Sequence, residues 1–63
     1  MVYTVSLKAA RVNAELSQEE AAEQIGVRQE TISSWENKKT YPKSNQLDKI
    51  AEVYHIPKDI LKT

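Results

Sequence analysis

Cysteine is absent from this 63-residue chain, which excludes disulfides, thiolate metal sites and cysteine nucleophiles. A single His would leave a zinc site dependent on several carboxylates, and no spacing of Asp and Glu suggests one. One Gly is too few to write a P-loop or a dinucleotide-binding turn. Most enzyme classes end with these absences: the chain reads as a non-enzyme, with no cofactor and no metal expected. No apolar run approaches the roughly 20 residues that span a bilayer, and no basic-then-apolar leader opens the chain. The expectation is therefore a soluble, cytoplasmic protein. Nine basic and nine acidic side chains cancel to a formal charge of zero. Total charge thus gives no argument for a nucleic-acid partner, and the distribution of charge has to decide.

The length allows one domain, spanning 1–63, that buries only about 60% of its unfolded surface. Two Pro and one Gly among many Glu, Lys and Gln indicate helices with short connections. A first helix is expected from about Ser6 to Ala14, with Leu7, Ala10, Arg11 and Ala14 on one face of a 3.6-residue period. Residues 1–5, apolar and β-branched, form an arm that either packs on the body or frays. Ser17-Gln18-Glu19-Glu20 is a capping box, and the helix it opens should bury Ala21, Ala22 and Ile25 and stop at Gly26 in a left-handed turn. A third helix from Arg28 or Gln29 to Glu36 turns Ile32 and Trp35 inward. Its outer face carries Glu30, Ser33, Ser34 and Asn37, with Gln29 and Thr31 at the borders. Asn37 is the expected left-handed residue of the following polar loop. A fourth helix from Ser44 or Asn45 to Tyr54 aligns Leu47, Ile50, Ala51 and Tyr54, with His55 as its left-handed C-cap. Pro57 at an N1 position starts a short fifth helix carrying Ile60 and Leu61. The fold class is all-α, a compact bundle of five short helices.

Two short helices joined by a tight Gly-containing turn, here about 18–36, make a helix-turn-helix. Small Ala21 and Ala22 permit a close crossing that leaves the next helix protruding, sized for a major groove about 12 Å wide. At this level of detail the sequence resembles the DNA-binding domain of Cro and lambda-type phage repressors, the Xre-like transcriptional regulators. The resemblance runs over 6–61. It rests on Leu7 and Arg11, Leu16-Ser17-Gln18-Glu19-Glu20-Ala21-Ala22, Ile25-Gly26-Val27, Thr31-Ile32-Ser33 and Trp35-Glu36, and then on Pro42, Leu47, Ile50-Ala51 and Tyr54.

The resemblance implies a five-helix fold and sequence-specific binding to duplex DNA as a transcriptional regulator, a repressor of phage or bacterial origin. It also implies a homodimer on an inverted-repeat operator. By position, Gln29, Glu30, Ser33 and Ser34 would read bases. Gln18, Arg28, Asn37, Lys39, Tyr41 and Lys43 would contact phosphates. Arg11 and Glu36 would form a partly buried ion pair between the first helix and the end of the third, and Trp35 would belong to the core. Two departures stand out. The family commonly has Asn-Gly-Lys where this chain has Asn37-Lys38-Lys39, and Glu30 places a carboxylate toward DNA, where phosphates repel it unless it accepts from cytosine N4.

Residues 28–43 carry four cations, Arg28, Lys38, Lys39 and Lys43, against Glu30 and Glu36, a local excess of two. Acidic charge gathers instead at Glu15, Glu19, Glu20 and Glu23. The neutral total therefore hides a dipole. An alternative from another class stays open: a protein-interaction module on the same scaffold, antitoxin-like or antirepressor-like, using the acidic second helix to bind a toxin, another repressor or polymerase. Val53, Ile56, Ile60 and Leu61 either close the core or supply a small dimer interface.

Overall fold

The computed structural model describes residues 4–62. Among them lie four α-helices: α1 (Leu7–Asn13), α2 (Gln18–Ile25), α3 (Gln29–Glu36) and α4 (Ser44–Tyr54). Each bound falls within a residue or two of the expectation. The fifth helix does not form as an α-helix. Pro57 sits before a single 3-10 turn, Lys58–Ile60, with φ −60° and ψ 135°. The Ile60 N–H closes back on the Pro57 carbonyl. The chain then extends through β2 (Leu61–Lys62), which pairs in parallel with β1 (Val5–Ser6) in the register Val5 to Leu61 and Ser6 to Lys62. Three residues between Pro57 and an extended pair leave no room for an i to i−4 ladder, so the turn stays 3-10. The same pairing places Val5, at the end of the expected arm, in the core. Thr4 is exposed, and residues 1–3 of that arm lie outside the described residues.

Two helices open on serine. The Ser6 hydroxyl accepts from the Ala9 N–H at 3.1 Å. In the capping box of α2, Ser17 Oγ accepts from the Glu20 N–H at 3.0 Å and Glu20 Oε1 accepts from the Ser17 N–H at 2.9 Å. The Ser17 backbone N–H, and secondarily the Ser17 hydroxyl, hold the Glu20 carboxyl below its ordinary pKa. α4 has half such a box: Gln46 Oε1 accepts from the Lys43 N–H at 2.7 Å. Lys58 braces the same helix from the 3-10 turn, donating to Ser44 Oγ at 3.2 Å and pairing with Asp48 at 2.9 Å.

All four helices close in one way. An N–H five residues on returns to the last turn: Leu16 to Arg11, Val27 to Ala22, Lys39 to Ser34 and Ile56 to Ala51, at 3.2, 3.0, 2.9 and 3.0 Å. The residue before each donor is left-handed: Glu15, Gly26, Lys38 and His55, with φ of 60°, 90°, 60° and 55°. This is the Schellman arrangement, which satisfies carbonyls the helix end would otherwise strand. Only one of the four positions holds the Gly it favours. The αL residue after α3 is Lys38 and not Asn37, whose φ is −89°. Asn37 continues the helical spiral as the C-cap and the reversal falls one residue later.

The core is Val5, Leu7, Ala10, Ala21, Ala22, Ile32, Trp35, Ile50 and Tyr54. Ala14, Leu16, Ile25, Val27 and Leu47 pack on it while partly exposed, as do Val53, Ile56, Ile60 and Leu61. Burial in so apolar a setting pushes the Tyr54 phenol up to about 12, with the negative charge of nearby Glu36 adding to the shift. No helix among the described residues is long and apolar enough to cross a membrane.

Candidate nucleic-acid interface

The site is built on how closely α2 and α3 can approach. Ala21 is fully buried and Ala22 nearly so, and side chains no larger than a methyl let the α3 backbone lie against α2. Gly26 reverses the chain at φ 90°, and the turn through Arg28 sets α3 off at a new angle. Ile32 and Trp35 anchor the inner side of α3. Taking about 100° per residue, the opposite side must then carry Glu30, Ser33, Ser34 and, one step past the helix, Asn37, with Gln29 at its border. Gln29, Glu30 and Asn37 are exposed; Ser33 and Ser34 are half-buried. Unlike α1 and α2, α3 opens with no side-chain cap on its first N–H groups, because its N-cap residue is Arg28.

The serines are already engaged within the fold. Asn37 Nδ2 donates to Ser33 Oγ at 3.3 Å, and Ser34 Oγ shares a 2.9 Å hydrogen bond with Thr40 Oγ1. The Ser34 carbonyl also accepts from the Lys39 N–H at 2.9 Å and the Thr40 N–H at 3.5 Å. Thr40 therefore ties the loop to α3, a role the sequence reading did not assign to it. The signal lies in the Schellman closure, which folds residue 40 back over residue 34. Beyond Thr40, Pro42 is buried and pins the loop, while Lys38, Lys39, Tyr41 and Lys43 are all exposed. Tyr41 at 60% and Val12 on α1 at 55% are the most exposed large apolar side chains among the described residues.

Behind the loop lies a buried ionic network. Arg11 Nε donates to Glu36 Oε2 at 2.7 Å, Nη2 donates to Oε1 at 3.2 Å, and Nη1 donates to the Leu16 carbonyl at 2.8 Å. The side chains of Arg11 and Glu36 are 10% and 5% exposed, and the bond to Glu36 raises the Arg11 pKa above its ordinary value against the opposing effect of burial. Gln18 joins this network, with Nε2 donating to Glu36 Oε1 at 3.1 Å. The first residue of α2 is thereby fixed to the last residue of α3. Gln18 retains a second amide hydrogen and its carbonyl oxygen for other partners.

With Glu36 neutralised by Arg11, the charges left around α3 and its loop are Arg28, Lys38, Lys39 and Lys43 against Glu30, an outward excess of three. The acidic side chains Glu19, Glu20 and Glu23 are exposed on α2. Of the ten residues expected to touch DNA, the structure gathers Glu30, Ser33, Ser34 and Asn37 on one side of α3, with Gln29 at its border. Arg28 stands just before it, and Lys39, Tyr41 and Lys43 lie in the loop just after it. Gln18 joins them through Glu36, and Ser34 is tied to Thr40.

A family model described as helix-turn-helix matches residues 7–61, a span that begins with α1 and ends in β2. No curated protein and no solved structure matches the chain.

Proposed function

We propose, for a chain that belongs to the Xre- and Cro-like helix-turn-helix family of DNA-binding regulators, that it represses transcription by binding a specific duplex sequence. The observation that carries this reading is the outward side of α3. It presents polar groups with hydrogen-bonding capacity beside three exposed lysines, where a merely solvated helix would more often carry paired Lys and Glu.

In this reading residues 1–63 act as one helix-turn-helix domain in the cytoplasm, with α3 lying in the major groove. Gln29, Glu30, Ser33 and Ser34 meet base edges. Gln18, Arg28, Asn37, Lys39, Tyr41 and Lys43 meet phosphates and set the register. Gln29, free to donate and accept at once, suits adenine N6 and N7. Gln18 keeps its bond to Glu36 and offers its second amide hydrogen to a phosphate. A single α3 with a handful of phosphate contacts gives modest affinity, so two copies on half-sites about 34 Å apart complete the site. The test is selection from a random duplex library at about 150 mM salt. An enriched inverted repeat with half-sites one helical turn apart is the expected result; folded protein that enriches nothing would refute it.

A further inference from the structure

Glu30 has no evident occupation within the fold. Glu36 is held by Arg11 and Gln18, Glu20 by the Ser17 backbone and Asp48 by Lys58; of the carboxylates without such a partner, Glu30 is the one that stands on the outward side of α3. Among the described residues no cation stands within ion-pair distance of Glu30 and no donor within hydrogen-bond distance, although Arg28 is only two residues away. Its place in the first turn of α3 offers a small helix-dipole benefit, which any acidic residue on any side of that turn would supply. Glu30 lies instead on the side that would face the groove, at the centre of the polar arc between Gln29 and Ser34.

A carboxylate there differs from its neighbours in kind. Gln29 both donates and accepts, and the Ser33 and Ser34 hydroxyls do the same. Ionised Glu30 only accepts. In the major groove, guanine offers two acceptors, thymine an acceptor and a methyl, and adenine an amino group beside the N7 acceptor. Cytosine alone presents an amino group with no acceptor beside it. Against guanine or thymine the carboxylate gives up hydration and gains no donor, and against adenine the bond from N6 is offset by the adjacent N7 acceptor, while the phosphates repel it throughout, the penalty of a poorly paired desolvated charge.

We propose that Glu30 is the specificity-determining residue of this interface, and that it works chiefly by rejection: it admits cytosine at one position and weakens binding to every other duplex. This rests on the DNA-binding reading above and adds a sign to it. Removing Glu30 should make the protein bind DNA more tightly in general and less selectively. A zero net charge fits such a device, since nonspecific affinity is mostly electrostatic.

The experiment compares the wild-type chain with Glu30→Gln, which keeps side-chain length and helix propensity. Each is put through the random-duplex selection, then titrated with the wild-type consensus, with that consensus changed at the cytosine, and with an unrelated duplex. For wild type, the consensus should contain a cytosine whose replacement weakens binding by roughly 5- to 150-fold. For Glu30→Gln, that preference should collapse at this one position while affinity for the unrelated duplex rises severalfold. A Glu30→Gln protein that keeps the cytosine preference, or binds unrelated duplex no better, overturns the inference while leaving DNA binding intact. A wild-type protein that binds no duplex overturns the DNA-binding reading itself, and this inference with it. Circular dichroism of both proteins excludes a folding defect as the cause of either outcome.

Discussion

Severing the Arg11–Glu36 pair from either side should cost the fold most of its stability, whereas removing both charges together should cost no more than removing one. Each side chain is about nine-tenths or more buried. Glu36→Leu leaves a guanidinium with only the Leu16 carbonyl; Arg11→Met leaves a carboxylate with only the Gln18 amide. Breaking one side of a buried pair typically costs about 3–5 kcal/mol. A domain of this length has roughly 3–9 kcal/mol in total, so either variant should be marginal, with a melting temperature lowered by about 12 °C or more. In Arg11→Met/Glu36→Leu no buried charge remains, and the residual penalty comes from the Leu16 carbonyl and the Gln18 amide losing their partners, about 1–3 kcal/mol. The double variant should therefore be at least as stable as either single one, implying a coupling of about 3 kcal/mol or more, at or beyond the upper end for residues in contact. Urea midpoints at pH 7 for wild type, both single variants and the double variant, read by circular dichroism at constant m-value, supply the cycle. Additive losses would refute the reasoning, because independent losses mean that neither charge depends on the other for its solvation.

The left-handed Lys38 invites a gain. Lys38→Gly removes an αL cost of about 1–2 kcal/mol against a glycine entropy cost of about 0.5–1 kcal/mol, so a thermal melt should show a net rise of up to about 1 kcal/mol, and a fall would contradict the Schellman assignment. For Tyr54, a folded-state pKa of about 12 lies above the unfolded value near 10. The native state holds that proton more tightly, so the stabilisation is complete below pH 10 and declines as pH rises from 10 through 12. Tyr54→Phe should flatten urea midpoints across that window, and an unchanged slope would assign the alkaline loss to other groups. At the DNA interface, Gln29→Ala should cost roughly 1–3 kcal/mol at the selected site and relax one base position; a selection profile unaltered at every position would remove Gln29 from the reading set. Lys39→Ala should weaken all duplexes about equally and reduce the salt slope by about one, and an unaltered slope would take Lys39 off the phosphates.

What was legible in the sequence was local. Ser17 and Glu20 sit three apart, Ile32 and Trp35 share a face, and Gly26 and His55 end helices, because each depends on neighbours within a turn. The left-handed residue after α3 is Lys38, where the family commonly has Gly, and not Asn37, the residue type that favours such a conformation: the spacing of the turn outweighs the preference of the residue type. The fifth helix failed for a different reason. Leu61 and Lys62 are drawn into extended pairing by Val5 and Ser6, partners 56 residues away in the chain that no local pattern connects. The candidate site divides along the same line. The exposure of Gln29 and Glu30 follows from α3's periodicity, while the Ser34–Thr40 bond and the Gln18–Glu36 bond exist only once the chain has reversed around them. The Arg11–Glu36 pair was reached through the family resemblance and not through spacing.

The parallel sense of the β1–β2 pair has a mechanical consequence. In a parallel pair, the chain enters β1 at one end of the ladder and leaves β2 at the other. A tension applied between the segments outside them would pull the two strands past one another, loading their hydrogen bonds together in shear. An antiparallel pair of the same size would be peeled open one bond at a time. The contact is only two residues long on each strand, yet its geometry makes it the clasp that must slip before any stretching force reaches α1 and α4.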